Sequence, residues 1–508
     1  VNVTGTLDAS GKESGQTGGT VQILGEWVAL LDNAFIDVSG DLGGGTALIG
    51  GDYQGNGTVP NAKKTYFHTD SFITANALSS GDGGKVILWS DDATYFYGNI
   101  SATGGLQRGD GGFVEVSGKD YLGFFGGVDV AATNGKGGTV LLDPASITIL
   151  SGVDASSTGF TAGSDISELF ADDSAAATVL NPDASGSFDG ISAGSTIILQ
   201  ATDFITVSNA FVLATATGNS NVSLAMQAGG SININANLTI DGTGTLHLEA
   251  DSVHSSSGAA DGTGTLTFAT GTTTTTGGGA ATFIAADFTI DGSITTGSGN
   301  IAMAESTSGT TLGLGTATGA ILSDSELDNI TTSGTLTIGQ ATTKGSDGAG
   351  TSASTLTSGA ITFDELTLGS KNVALISNST INDDDDTSAS LTTSGTLTLT
   401  SSGNIGDSGG SQGLDLDVGT LSISGTGSGN VIVTEASSLA LGATTVGGTL
   451  SATSTTGNIT DTGTLTITGA ATFITGATGS NIILDGSSNA FAAAVTMTAD
   501  DGTEAFGD

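Results

Sequence analysis

The chain has 508 residues, including 83 Gly, 3 Pro and no Cys, and a formal net charge of −42. Only nine residues are basic, seven of them before residue 137, which argues against nucleic-acid or anionic-membrane binding. The lack of Cys excludes a disulfide scaffold, and no apolar run approaches the ~18 residues of a membrane-spanning helix.

Residues 1–150 carry two markers in one rhythm. Gly-Gly pairs stand at 18–19, 44–45, 83–84, 111–112 and 137–138, at intervals of 26, 39, 28 and 26 residues. A β-rich run follows each pair, such as Thr20-Val21-Gln22-Ile23 and Lys85-Val86-Ile87-Leu88. The second marker is Leu7-Asp8-Ala9, Ile36-Asp37-Val38, Ile73-Thr74-Ala75, Ile100-Ser101-Ala102 and Val128-Asp129-Val130. Two independent markers at one period of this length read as a solenoid. Between Gly83 and Gly111 the pattern predicts strands at 85–89, 94–97 and 99–102. Strands this short, with Gly, Asn or Asp corners, suit parallel β-helix coils rather than hairpins. Alternation places Val21, Ile23, Val114 and Val116 inward and the residues between them, as polar side chains, outward. The 39-residue interval holds an insertion, Gly51–Pro60, thrown off the coil.

Residues 151–196 break the rhythm. Asp165-Ile166-Ser167-Glu168-Leu169-Phe170 predicts a brief capped helix in an irregular insertion. Residues 197–508 return to coils in a Thr-rich vocabulary. Gly-Thr-Leu recurs, Asn-Ile or Asn-Val stands at 404, 430, 458 and 481, and Gly279–Ile284 reappears unchanged as Gly469–Ile474. In Thr396–Thr400 the alternation puts Leu inward and Thr outward. The expectation is an all-β parallel β-helix with one irregular, partly helical excursion. It has about 20 coils and a length on the order of 100 Å, from ~4.8 Å between strands.

Three stretches, Gly5–Gly11, Gly44–Gly57 and Gly138–Pro144, resemble filamentous-haemagglutinin-type exoproteins, the passengers of two-partner secretion. The resemblance is specific across 1–150 and looser through Leu199–Val207 and the Thr-rich repeats. It implies a right-handed β-helical fibre that leaves a Gram-negative bacterium through a dedicated outer-membrane pore. Such a fibre serves in adhesion or in the extracellular matrix. The family's secretion domain is not among these residues, so the resemblance places them downstream of it.

Several motifs invite sharper readings. Arg108-Gly109-Asp110 is the tripeptide that integrins read, yet Gly109–Gly112 repeats the turn Gly81–Gly84, which explains Asp110 as a corner. Asp383–Asp386 could collect Ca²⁺ weakly, but the spacing fits no calcium loop, and a solvated acidic loop is the plainer reading. No catalytic residue, metal site or cofactor is assigned, and an enzyme acting on polysaccharide is a distant alternative. His68, His247 and His254 are dispersed, and Tyr95-Phe96-Tyr97 with Phe124-Phe125 read as stacking inside or along the coil rather than binding sugar. A flat Thr lattice for ice or crystalline polysaccharide is disfavoured by coils that vary in length. The expected function is a structural or adhesive extracellular fibre, associating end to end or contacting host or neighbouring cells. A specific receptor or glycan would need a defined patch, for which the 51–64 loop and the 151–196 excursion are the candidates.

Overall fold

The two markers meet in every N-terminal coil. The computed structural model describes residues 1–151, 178–181, 188, 192–213, 221–252, 261–344, 353–384, 390–406, 413–424 and 427–499. In it the second glycine of each pair donates its N–H to the carbonyl of the third marker residue. These bonds run from Gly19 to Ala9, Gly45 to Val38, Gly84 to Ala75, Gly112 to Ala102 and Gly138 to Val130, at 2.7–2.8 Å. The glycines are needed because neighbouring coils touch there. A Cβ on Gly44 would stand 1.9 Å from the Ala75 carbonyl oxygen, and one on Gly84 would stand 2.2 Å from that of Gly45.

Each coil contributes three strands, each parallel to its equivalent one coil on. The first column holds Trp27–Leu30, Lys64–Phe67, Ala93–Phe96 and Tyr121–Phe124, paired in order. The second holds Thr6–Asp8, Phe35–Asp37, Phe72–Thr74, Asn99–Ser101 and Gly127–Asp129. The third holds Thr20–Ile23, Thr46–Ile49, Lys85–Leu88, Phe113–Val116 and Thr139–Leu142. Three strands fall within the interval 83–111, each within one residue of the expected bounds.

Because equivalent residues stack, side chains form columns through the interior. Ala47, Val86, Val114, Val140 and Ile197 follow one another in register and are buried. Phe67, Phe96 and Phe124 form an aromatic column, with ring centroids 5.3 and 5.2 Å apart. Each coil thus buries its apolar side only against its neighbours, the energetics of a solenoid.

The register survives the excursion. Thr139 pairs with Thr196 and Ile147 with Ile205, so the coil resumes as though the intervening residues were absent. One described piece of the excursion, Thr178–Leu180, adds a parallel strand to Ile147–Ile149. The helix expected at 165–170 lies outside the described residues.

The chain forms two compact units: Val1–Ala280 with Lys344–Ala353, and Ala281–Thr343 with Ser354–Asp508. In the second unit, Leu391–Ser401 and Leu414–Ser424 pair in parallel, and Leu397 and Leu399 are buried while Thr398 is partly exposed. This unit also holds an antiparallel pair, Gln340–Thr342 with Thr355–Thr357. A short helix, Asp324–Asp328, begins with a capping box in which Ser323 and Glu326 satisfy each other's backbone N–H. The same Ser-x-x-Glu signal stands in the sequence there and was not read as a helix. Among the described residues no helix is long and apolar enough to cross a membrane.

Candidate functional site

The outer face of the third column departs from expectation. The residues between the inward positions are Gln22, Leu48, Ile87, Glu115, Leu141 and Ile198: Gln22 is exposed as expected, Glu115 is polar but buried, and the other four are apolar and buried. Continuous apolar runs such as Val86-Ile87-Leu88-Trp89 signal a strand covered on both faces, and that signal is present in the sequence. The cover is the 51–61 insertion. It is not thrown off the coil but folds back, and Tyr53 and Val59 pack on Leu48, Ile87 and Trp89 beside Phe113. Tyr53 reaches further, to the cluster of Leu141, Ile198 and Ala225, and meets Phe113 edge-on at 5.8 Å.

Close approach fixes the loop over Trp89. A Cβ on Gly55 would lie 2.6 Å from the indole Cε2, and one on Gly51 would lie 2.8 Å from Cδ1. Asn61 ties the loop's two limbs together, donating from Nδ2 to the Gly55 carbonyl and to Asp91 Oδ1, each at 3.0 Å. Asp91 Oδ1 also accepts from Trp89 Nε1 at 3.1 Å.

Under the loop runs a row of buried polar groups drawn from successive coils. At its tip Gln54 sits at φ 51°, ψ 26°, a left-handed conformation that strains a residue with a Cβ by about 1 kcal/mol. Its hydrogen bonds hold it there. The Gln54 N–H donates to both Glu115 carboxyl oxygens at 3.1 and 3.2 Å. Its side-chain amide donates to Gln200 Oε1 at 2.7 Å, with Asp143 Oδ2 at 3.4 Å. The row continues from Gln200 to Gln227 at 2.9 Å, and from Gln227 to Glu249 at 3.1 Å and to the Lys344 carbonyl at 2.8 Å. At its far end Glu249 meets His247 Nε2 at 3.0 Å and accepts from Ser252 Oγ at 2.9 Å. Glu249 thus lies between Ser252 and His247.

Glu115 and Asp143 are 0 and 2% exposed. Burial pushes Glu115 well above the usual carboxylate range, the Asp143 charge adds to this, and the Gln54 N–H, Ser117 and Lys85 oppose it. Burial likewise raises Asp143 to about 7 against the Gln54 hydrogen bond. Asp143 Oδ1 is buried without a hydrogen-bond partner. Burial of this depth disfavours the charged form of both acids. Along the chain Tyr53, Glu115 and Asp143 form no cluster. The register builds one, from residues 28 positions apart under a loop 61 positions away.

The sequence-derived candidates fall elsewhere. Asp110 is a corner residue: its N–H donates to Asp82 Oδ1 and its own Oδ1 accepts from the Lys136 N–H, both at 2.8 Å, while Arg108 is exposed. Asp383 and Asp384 accept backbone N–H groups of Asp415 and Thr318, and Asp385 and Asp386 lie outside the described residues. No group of three metal-binding side chains occurs among the described residues. The aromatic triplets divide: Phe96 and Phe124 are in the interior column, whereas Tyr97 lies 5.7 Å from Tyr66 and 5.3 Å from Phe125 on the outer face. The Tyr97 and Phe125 rings stack face to face along the coil. His68 stands beside Asp70 and His247 beside Glu249, and His254 lies outside the described residues.

Residues 428–498 match a family described as repeats of unknown function (DUF5649). Within that span Val431, Leu450, Ala471 and Val495 pair in sequence, so these repeats are coils of the solenoid. No curated protein matches the chain. The Asn markers in this region are coil contacts too. Asn404 Oδ1 accepts from the Asn430 N–H at 2.9 Å, and Asn458 Oδ1 accepts from the Asn481 N–H at 2.8 Å. The interval from Asn430 to Asn458, however, is not one coil: Val431 pairs with Leu450 and Ile459 with Leu439, in different columns.

Proposed function

We propose that this chain is a section of an extracellular bacterial fibre, structural and adhesive, of the filamentous-haemagglutinin type. The observation that carries the reading is the in-register stacking of short coils whose Gly-Gly corners and marker strands are the residues that resemble that family. Such a stack grows by nearest-neighbour addition, which suits a chain emerging unfolded through a two-partner secretion pore with no nucleotide energy outside the cell. A chain without Cys passes such a pore without disulfide chemistry. The Ser-, Thr- and Asp-rich outer surface gives the fibre its solvated, acidic exterior. The strand Val495–Ala499 pairs in parallel with Ala471–Thr475, and an exposed edge strand of this kind would be the means by which copies associate.

Purified protein tested against a panel of glycans and cultured cells, and viewed by electron microscopy at rising concentration, tests this reading. Saturable binding to a surface, or filaments that lengthen with concentration, is the expected outcome. Protein that binds nothing and never associates would contradict it.

A further inference from the structure

The groups beneath the 51–61 loop form a device that the fibre reading does not use. The loop is the only cover we find over the apolar outer face of Leu48, Ile87 and Trp89 among the described residues. It is pinned through a strained residue, Gln54, whose main-chain N–H and side-chain amide both reach a row of acids and amides. One oxygen of that row, Asp143 Oδ1, is buried without a hydrogen-bond partner, so a charge on this carboxylate is poorly compensated there. We propose that the loop is a proton-locked lid, closed while the Glu115–Asp143 pair holds protons and released when the pair ionises.

The charged neighbours support this direction. Asp143 and Glu115 face one another, and Asp52 on the loop adds a third acid nearby. Lys85 is the one cation at this end. Its Nζ is 3.8 Å from Asp52 Oδ1 and 5.3 Å from the centre of the Tyr53 ring, and its side chain is 42% exposed. A single half-exposed lysine, already shared with Asp52, does not neutralise two further buried carboxylates. Farther along the row Glu249 is met by His247, with the neutral Gln200 and Gln227 between. The sign follows from linkage. Burial beneath the lid raises both acids by more than the Gln54 donors lower them, so the closed state binds more protons than one in which the acids are open to water. Its advantage is complete below the ordinary carboxyl range and is lost as pH rises toward about 7, the value for Asp143.

Hydrogen exchange of the whole chain, followed by mass spectrometry of peptides covering residues 51–62 and corrected for intrinsic rates, reads the opening directly. The opening constant is expected to rise about ten-fold per pH unit between roughly pH 5 and pH 7, the slope for one linked proton. Peptides covering Ala471–Thr475 serve as the control and are expected to show no such rise. The double variant E115Q/D143N, which keeps the shape of the acids without their titration, is expected to lose the slope and stay closed. Should it not fold, D143N alone carries the same test. A wild-type opening constant unchanged across that range would overturn the proposal, as would a wild-type slope in the variant or an equal slope in the control peptides.

Discussion

At the scale of single residues, the chain's most frequent amino acid does its work by being small. The Gly-Gly pairs are the points where one coil's backbone lies against the next, and a side chain there has carbonyl oxygen in its way. A Cβ on Gly111 would stand 1.9 Å from the Val130 carbonyl oxygen. Gly111→Ala is therefore expected to cost about 2–4 kcal/mol, the range for severe overpacking, and to lower the melting temperature by several degrees. Gly5→Ala, with nothing within 4 Å, is expected to change stability by less than about 0.5 kcal/mol. Calorimetry on the two variants checks both. Acidic residues near the corners act as local caps: Asp37 Oδ1 accepts from the Ser39 N–H at 2.9 Å, and its other oxygen meets Lys12 at 2.6 Å. Burial raises the Asp37 carboxyl, but Lys12, Ser39 and Thr74 together outweigh it and hold the group low. Asp37 thus stabilises above the ordinary Asp range and loses that contribution as pH falls below it.

Among the elements, what could be read from the sequence depended on whether a feature was local. Strand positions, Gly corners and inward columns are period-two and period-coil signals, and residues 85–101 show them within one residue of expectation. The lid was misread because it is a tertiary event: no local property of Gly51–Pro60 says that Gln54 will reach Glu115, Asp143 and Gln200. The apolar Ile87 and Leu141 did carry the information that something must cover them. The Asn430–Asn458 interval misled for a related reason, since a column change leaves a marker's spelling intact while moving it to another side of the coil. In the second unit a buried acid glues two strands in the same manner. Glu435 accepts from the Val418 N–H at 3.2 Å to each oxygen, and from Ser437 N and Oγ at 3.3 and 3.0 Å. Burial lifts its carboxyl to about 7 despite those bonds. Because the folded value lies above the unfolded one, its stabilisation is complete below about pH 4.5 and fades as pH rises to about 7. E435Q is expected to remove that pH dependence from exchange at Val431–Glu435 while leaving the strand paired. An unchanged profile would show that another group titrates there.

For the molecule as a whole, a net charge of −42 and interior columns of Val, Ile, Leu and Phe in each unit describe coils that are cohesive in their cores and mutually repelling at their surfaces. That combination is consistent with the fibre we propose. The sequence conveyed this level well, because composition and period are properties of the entire chain. The central claim is that the chain is displayed as an extracellular fibre, and its most direct test is immunogold labelling of intact cells of the bacterium that makes it. Gold on material outside the outer membrane, removed by protease added to unbroken cells, is the result the account predicts. Gold found only after the cells are opened would contradict it.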